Sequence, residues 1–166
     1  MSSIANKLAD IRLVAFDVDG VFTDGRIYLS DAGIETKAFN IQDGFGIRQL
    51  IMADIAVAVI SGRKSGAVER RMTELGVPHV IQGCGDKVAA LDGIIEALGI
   101  NAQECAYVGD DIPDLPLLEH VGVPIAVANA VEPVRAFCDY TTTASGGLAA
   151  VREVCDLVLS ARGKSS

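Results

Sequence analysis

The sequence predicts an α/β fold: a three-layer, Rossmann-like parallel sheet flanked by helices, with one protruding β-hairpin. Three observations predict it. Short runs of Val, Ile, Leu and Ala ("IRLVAFDV", "IAVAVIS", "HVIQG", "ECAYVG", "VPIAVAN") alternate with stretches of helical periodicity. Two of those stretches end in a glycine suited to a left-handed cap, Gly76 and Gly99. One segment, "DGRIYLSDAGIETKAFN", breaks the alternation: two β-prone runs flank the turn signal "SDAG".

Taken in order, "IRLVAFDV" is apolar enough for a strand buried on both faces, as a parallel sheet requires. The hairpin follows as an insertion over about 25–40, with arms at 26–30 and 35–39. "DGFGIRQLIMAD" places Ile47, Leu50 and Ile51 at helical spacing. "IAVAVIS" is the second core strand and "KSGAVERRMTELG" the next helix. "HVIQG" is the third strand, and "DKVAALDGIIEALG" is a helix with Asp86 as N-cap. "ECAYVG" is the fourth strand, and a short helix follows from Pro113. "VPIAVAN", the short helix "EPVRAFC" and "DYTTT" supply a fifth strand and a sixth. "GGLAAVREVCDLVLSARG" closes the chain as a helix striped by Leu148, Val151, Val154, Cys155 and Val158. Right-handed crossovers connect such strands. The whole chain, 1–166, reads as a single domain without internal repeats.

Composition narrows the function. Half of the 166 residues are apolar, enough for a full core. A net charge of −8 leaves no basic stripe for nucleic acid. It permits a small anionic substrate if the site carries its own positive charge. The longest apolar run, "IAVAVI", is too short to span a bilayer, so no membrane partner is expected. Cys84, Cys105, Cys138 and Cys155 match no zinc spacing, and no signal-peptide pattern precedes them, which points to a reducing cytoplasm. Cys105 and Cys155 read as core thiols.

Asp17 and Asp19 stand at i and i+2 where the first strand ends, a spacing that points both side chains the same way. Gly20 then permits a tight turn and close ligand approach. Two such charges are costly together unless a cation or a proton lies between them, and Mg²⁺ takes oxygen ligands of this kind. "GDDIPD" places Asp110, Asp111 and Asp114 after the fourth strand. Ligands of open α/β sheets sit beyond the strand C-termini where the strand order reverses. With a strand order of 3-2-1-4-5, Asp17 meets Asp110. Asp111 or Asp114 taken singly also suits a helix cap.

The second strand ends in "SGRK", where the Ser61 hydroxyl can donate to a phosphate oxygen. Lys87 opens the helix after the third strand, against the helix dipole, which suits an anion bound there. Taken alone, Lys87 and Arg63 also suit solvated surface positions. No P-loop and no Ser-His-Asp set is present, and His79 and His120 read as structural.

In order and spacing, Asp17-Val18-Asp19-Gly20, Ser61-Gly62-Arg63, Lys87 and Gly109-Asp110-Asp111 resemble the four motifs of the haloacid dehalogenase superfamily over nearly the whole chain. "DVDGVFTDG", "KAFNIQDGFGIR", "SGRKSGAVERR", "GDDIPDLPLLEHVG" and "GGLAAVREVCDLVL" further resemble its capless sugar-acid phosphatases, those acting on 3-deoxy-D-manno-octulosonate 8-phosphate in lipopolysaccharide sugar supply. The resemblance implies an HAD-like fold without a cap domain. Asp17 would be the nucleophile, forming an aspartyl-phosphate, and Asp19 the general acid and then base. Asp17, the backbone carbonyl of Asp19 and Asp110 would hold Mg²⁺, with Mn²⁺ or Co²⁺ as substitutes. Ser61, Gly62 and Lys87 would bind phosphate. Asp111 would orient the metal shell or Lys87, and Asp114 would be a supporting carboxylate. Arg63 would meet the sugar acid's carboxylate, and Asp43 would touch substrate or metal-bound water. A homotetramer is implied, each hairpin reaching over a neighbour's site, and Ile27, Tyr28 and Leu29 look exposed enough to gain from it. Relatives can carry longer tails after the position of Gly163 than "KSS".

Three other readings stand beside this one. A nonulosonate 9-phosphate phosphatase would use the same motifs on another α-keto sugar acid. A receiver-like phosphoprotein shares the acidic residues, hydroxyl and lysine, but its phosphorylated Asp ends the third strand, where this chain has "HVIQG". A non-catalytic subunit that kept the fold would have lost a carboxylate or the lysine.

Overall fold

The short strands become the centre of the molecule because no charged side chain interrupts the four in the middle. The structure, a computed structural model, describes residues 3–163; the tail at 164–166 lies outside them. Helix α1 (Ser3–Ala9) leads into β1 (Leu13–Phe16), whose four residues are all buried. The hairpin strands β2 (Tyr28–Leu29) and β3 (Glu35–Thr36) precede α2 (Ile41–Met52) and β4 (Ala56–Ile60). Then come α3 (Gly66–Leu75), β5 (His79–Ile81), α4 (Lys87–Leu98), β6 (Cys105–Gly109), α5 (Leu115–His120) and β7 (Val123–Ala126). Helix α6 (Glu132–Phe137), strand β8 (Tyr140–Thr141) and helix α7 (Ala150–Ala161) complete the fold.

The main sheet runs β5-β4-β1-β6-β7-β8, every neighbouring pair parallel. This is the expected order, with β1 at the centre and the reversal of strand order between β1 and β6. Helices α1, α2 and α7 pack together, as do α4 and α5, which gives the three layers. Val14, Phe16, Val57, Ile60, Val108 and Ile125 are fully buried between them. Each such side chain contributes about 1.5–3 kcal/mol relative to exposure.

Local rules hold where expected. Asp86 caps α4 by accepting from Ala89 N, and Gly76 and Gly99 take left-handed backbone at helix ends. Two boundaries differ. The hairpin pairs only Tyr28 with Thr36 and Leu29 with Glu35, so its arms are shorter than the β-prone runs. Helix α7 begins at Ala150, after left-handed Ala149, so Leu148 lies outside the helix and is 68% exposed rather than part of the stripe.

Candidate active site

Register places the two key carboxylates. Phe16 is paired with Val108, and Asp17 N donates to Val108 O at 3.0 Å, so Asp17 and Asp110 leave adjacent strands at the same edge. Phe16 is also paired with Val59, which brings Ser61 to that edge. The resulting cleft, of about 270 Å³, is lined by every residue the sequence nominated except Asp43, together with Gly25 and Pro113.

The turn after Asp17 is tied on several sides. Val21, Phe22 and Thr23 N–H groups all donate to Val18 O, and Thr23 Oγ1 accepts from Gly20 N and Gly25 N at 3.2 Å. Asn129 Nδ2 donates to Gly20 O (3.0 Å) while its Oδ1 accepts from Gly146 N (2.7 Å). Gly20 has φ +83°, and a Cβ there would stand 1.9 Å from Asp110 Oδ2. Only glycine lets the turn approach that carboxylate.

Asp17 is buried, and its Oδ1 accepts from Val18 N (2.8 Å) and lies 3.2 Å from Lys87 Nζ. Burial and the Asp114 charge push its carboxyl up to about 7, against the pull of Lys87. Burial, then the charges of Asp17, Asp114 and Asp111, push Asp110 up to about 8. No lysine or arginine among the described residues pairs with Asp110. Such a pair fits a hard divalent cation, which would hold both groups ionised.

Carboxylate oxygens of Asp17, Asp110 and Asp114 lie within 4.8 Å of one another. Asp114 is nevertheless spent. Its Oδ1 accepts from Lys87 Nζ (2.8 Å) and Tyr107 Oη (2.6 Å), and its Oδ2 from the N–H groups of Asp110 (2.9 Å) and Asp111 (3.2 Å). The Lys87 ammonium beside it is the chief influence holding Asp114 below the usual carboxylate range, against the effect of burial. Asp114 is thus a buried support that aims Lys87 and fixes the loop carrying Asp110.

The Ser61 hydroxyl oxygen accepts from Arg63 N (3.3 Å), and its O–H has no acceptor among the described residues, so it is free to donate. Asp19 lines the cleft, but its side chain stands outside the acidic trio: Oδ1 accepts from Lys37 Nζ at 2.5 Å and Oδ2 lies 3.9 Å from Arg63 Nε. Arg63 is half exposed and donates to Glu35 Oε2 at 2.8 Å. Asp111 is exposed and caps the turn at Ile112, so orienting Lys87 falls to Asp114 instead.

Asp43 is the misplaced nominee. It sits 1% exposed in the first turn of α2, and its Oδ1 accepts from Arg152 N of α7 at 2.9 Å. Packing of α2 on α7 turns it away from the cleft, and burial raises its carboxyl to about 6. Sequence reasoning missed Tyr107 and Lys37. A tyrosine inside "ECAYVG" reads as core, and a lysine in a hairpin reads as solvated.

A haloacid dehalogenase-like hydrolase model matches residues 79–151. The 3-deoxy-D-manno-octulosonate 8-phosphate phosphatase of Escherichia coli strain K12 is 47% identical over 163 residues, 98% of this chain and 87% of that protein. The chain belongs to the 3-deoxy-D-manno-octulosonate 8-phosphate phosphatase family. Solved structures of the family superpose closely. The Moraxella catarrhalis phosphatase, in complex with magnesium ion, phosphate ion and KDO, gives a TM-score of 0.95 at 48% identity, over 98% of this chain and 94% of that one. The Yersinia pestis phosphatase gives 0.95 at 45% identity, over 97% and 87%.

Proposed function

We propose that this protein is a Mg²⁺-dependent phosphomonoesterase that converts 3-deoxy-D-manno-octulosonate 8-phosphate to 3-deoxy-D-manno-octulosonate and phosphate, in lipopolysaccharide sugar supply. The observation that carries the reading is the convergence of Asp17, Asp110 and Lys87 at one edge of the sheet, in a cleft sized for a small molecule.

Asp17, the backbone carbonyl of Asp19 and Asp110 would hold Mg²⁺, which supplies charge neutralisation to the phosphoryl oxygens. Asp17 is fixed at Oδ1 by Val18 N and Lys87, so its carboxylate is oriented before substrate arrives. A carboxylate oxygen of Asp17 attacks phosphorus and the bond from phosphorus to the sugar O8 breaks. Asp19 gives its proton to O8. Water then attacks phosphorus, Asp19 takes a proton from it, and the bond from Asp17 to phosphorus breaks. Lys87 and the Ser61 hydroxyl hold the phosphoryl oxygens through both steps, with Gly62 allowing close approach. Arg63 meets the sugar acid's carboxylate, for which its planar guanidinium is suited.

The described residues share one continuous core, which supports a single domain over 1–166. No helix among them is long and apolar enough to cross a membrane. The four free thiols accord with a cytoplasmic site. Exposed Ile27, Tyr28, Leu29 and Ile34 on the hairpin favour burial of that arm in a subunit contact, as the proposed homotetramer with an arm over a neighbour's site would supply.

The test is kcat/KM on the octulosonate 8-phosphate and on a nonulosonate 9-phosphate, with and without Mg²⁺, for the wild type and Asp17→Asn. Metal-dependent preference for the 8-phosphate, abolished in Asp17→Asn, is expected. Preference for the 9-phosphate overturns the substrate, and an active Asp17→Asn overturns the nucleophile.

A further inference from the structure

Lysine is almost never buried unless paired, because desolvating an ammonium is costly. The Lys37 side chain is 2% exposed. It reaches from the segment after β3 to the turn after β1. Its Nζ donates to Asp19 Oδ1 at 2.5 Å and stands 2.9 Å from Glu35 Oε1. Glu35 Oε2 in turn accepts from Arg63 at 2.8 Å. The base of the hairpin therefore carries a cation directed at one oxygen of one cleft carboxylate.

We propose that Lys37 is a positioning residue for Asp19, an inference that rests on the acid–base reading of Asp19 given above. A charge-assisted hydrogen bond restrains the Asp19 side chain against rotation. It occupies Oδ1 and leaves Oδ2 as the oxygen that exchanges protons with the cleft. The Asp19 Oδ2 proton passes to the departing sugar oxygen, and the same oxygen later takes a proton from water. Lys37 keeps its own protons throughout. The hairpin thus has a task within its own subunit: it holds the proton donor in line.

The test separates this task from a structural one through the leaving group. A sugar alkoxide departs only with a proton, whereas 4-nitrophenolate departs without one. The ratio kcat/KM reports every step up to departure of that first product. Lys37→Met replaces the ammonium with an apolar chain of similar length. It should lower kcat/KM on the sugar phosphate roughly 10–100-fold more than on 4-nitrophenyl phosphate. Lys37→Arg keeps the charge and should show the same selective loss, smaller in size. If the methionine variant does not fold, the arginine variant alone decides. Equal losses on both substrates, or no loss, overturn the proposal. Asp19→Asn is the reference and should show the selective loss in full. If it does not, the acid role of Asp19 fails, and the proposal with it. If Asp19→Asn is selective and neither Lys37 variant is, only the assignment of Lys37 falls.

Discussion

Asp114→Asn appears conservative and should not be. The native carboxylate accepts four hydrogen bonds, two on each oxygen, and every partner is a donor. An asparagine offers one acceptor oxygen and one NH₂. With its oxygen toward the Asp110 and Asp111 amides, the NH₂ faces Tyr107 and Lys87. The Tyr107 hydroxyl can turn and accept, but the Lys87 ammonium cannot. One charge-assisted bond inside a buried network is lost, worth about 1.5–3 kcal/mol, and a donor–donor contact replaces it. Removing the negative charge also relieves Asp17 and Asp110, both of which Asp114 pushes up. At pH 5, below both of their raised values, Asp17 and Asp110 largely hold protons and that relief is the smaller effect, so the comparison is made there. A net loss of about 2 kcal/mol follows, or roughly 4–8 °C in Tm for a domain of this size. Calorimetry in EDTA reads it without a contribution from bound metal. Activity should fall at least about tenfold, since Lys87 loses its second anchor. A Tm in EDTA equal to or above that of the wild type would show that the Lys87–Asp114 contact does not stabilise the fold.

Two further outcomes follow from the same geometry. Asp17 and Asp110 are pushed up to about 7 and about 8, above their unfolded value near 3.8, so the metal-free protein loses stability as pH rises from about 4 to 8. Mg²⁺ should then raise Tm more at pH 8 than at pH 5 in a thermal-shift assay, and the reverse order would contradict the assignment of these ligands. Gly20→Ala sets a Cβ 1.9 Å from Asp110 Oδ2 at φ +83°. It should cost about 1–2 kcal/mol of stability from the left-handed backbone alone, and should weaken Mg²⁺ binding measured by calorimetric titration. Unchanged affinity would show that Asp110 is not displaced.

The sheet and the meeting of Asp17 with Asp110 were legible because both depend on strand identity and order, which runs of apolar residues declare. Each carboxylate stands one residue past a buried strand, and parallel pairing did the rest. Asp43 was not legible. Its place in "QDGFG" says that it opens a helix, whereas its direction is set by how α2 meets α7, a relation between segments far apart in the chain. Lys37 and Tyr107 failed for the opposite reason: local composition gave each an ordinary explanation, and only the fold shows the carboxylates they face. The supporting role expected of Asp114 takes physical form in its four donors.

Asn129 grips Gly20 with one end of its amide and Gly146 with the other, and Gly147 N reaches Val21 O as well. The turn after Asp17 is therefore tied to two remote stretches of chain. A shift of the segment that leads into α7 should be felt at the turn between Asp17 and Gly25. Changes near 129 or 146, though distant in sequence from any chemistry, should be felt as losses of rate before they are felt as losses of fold.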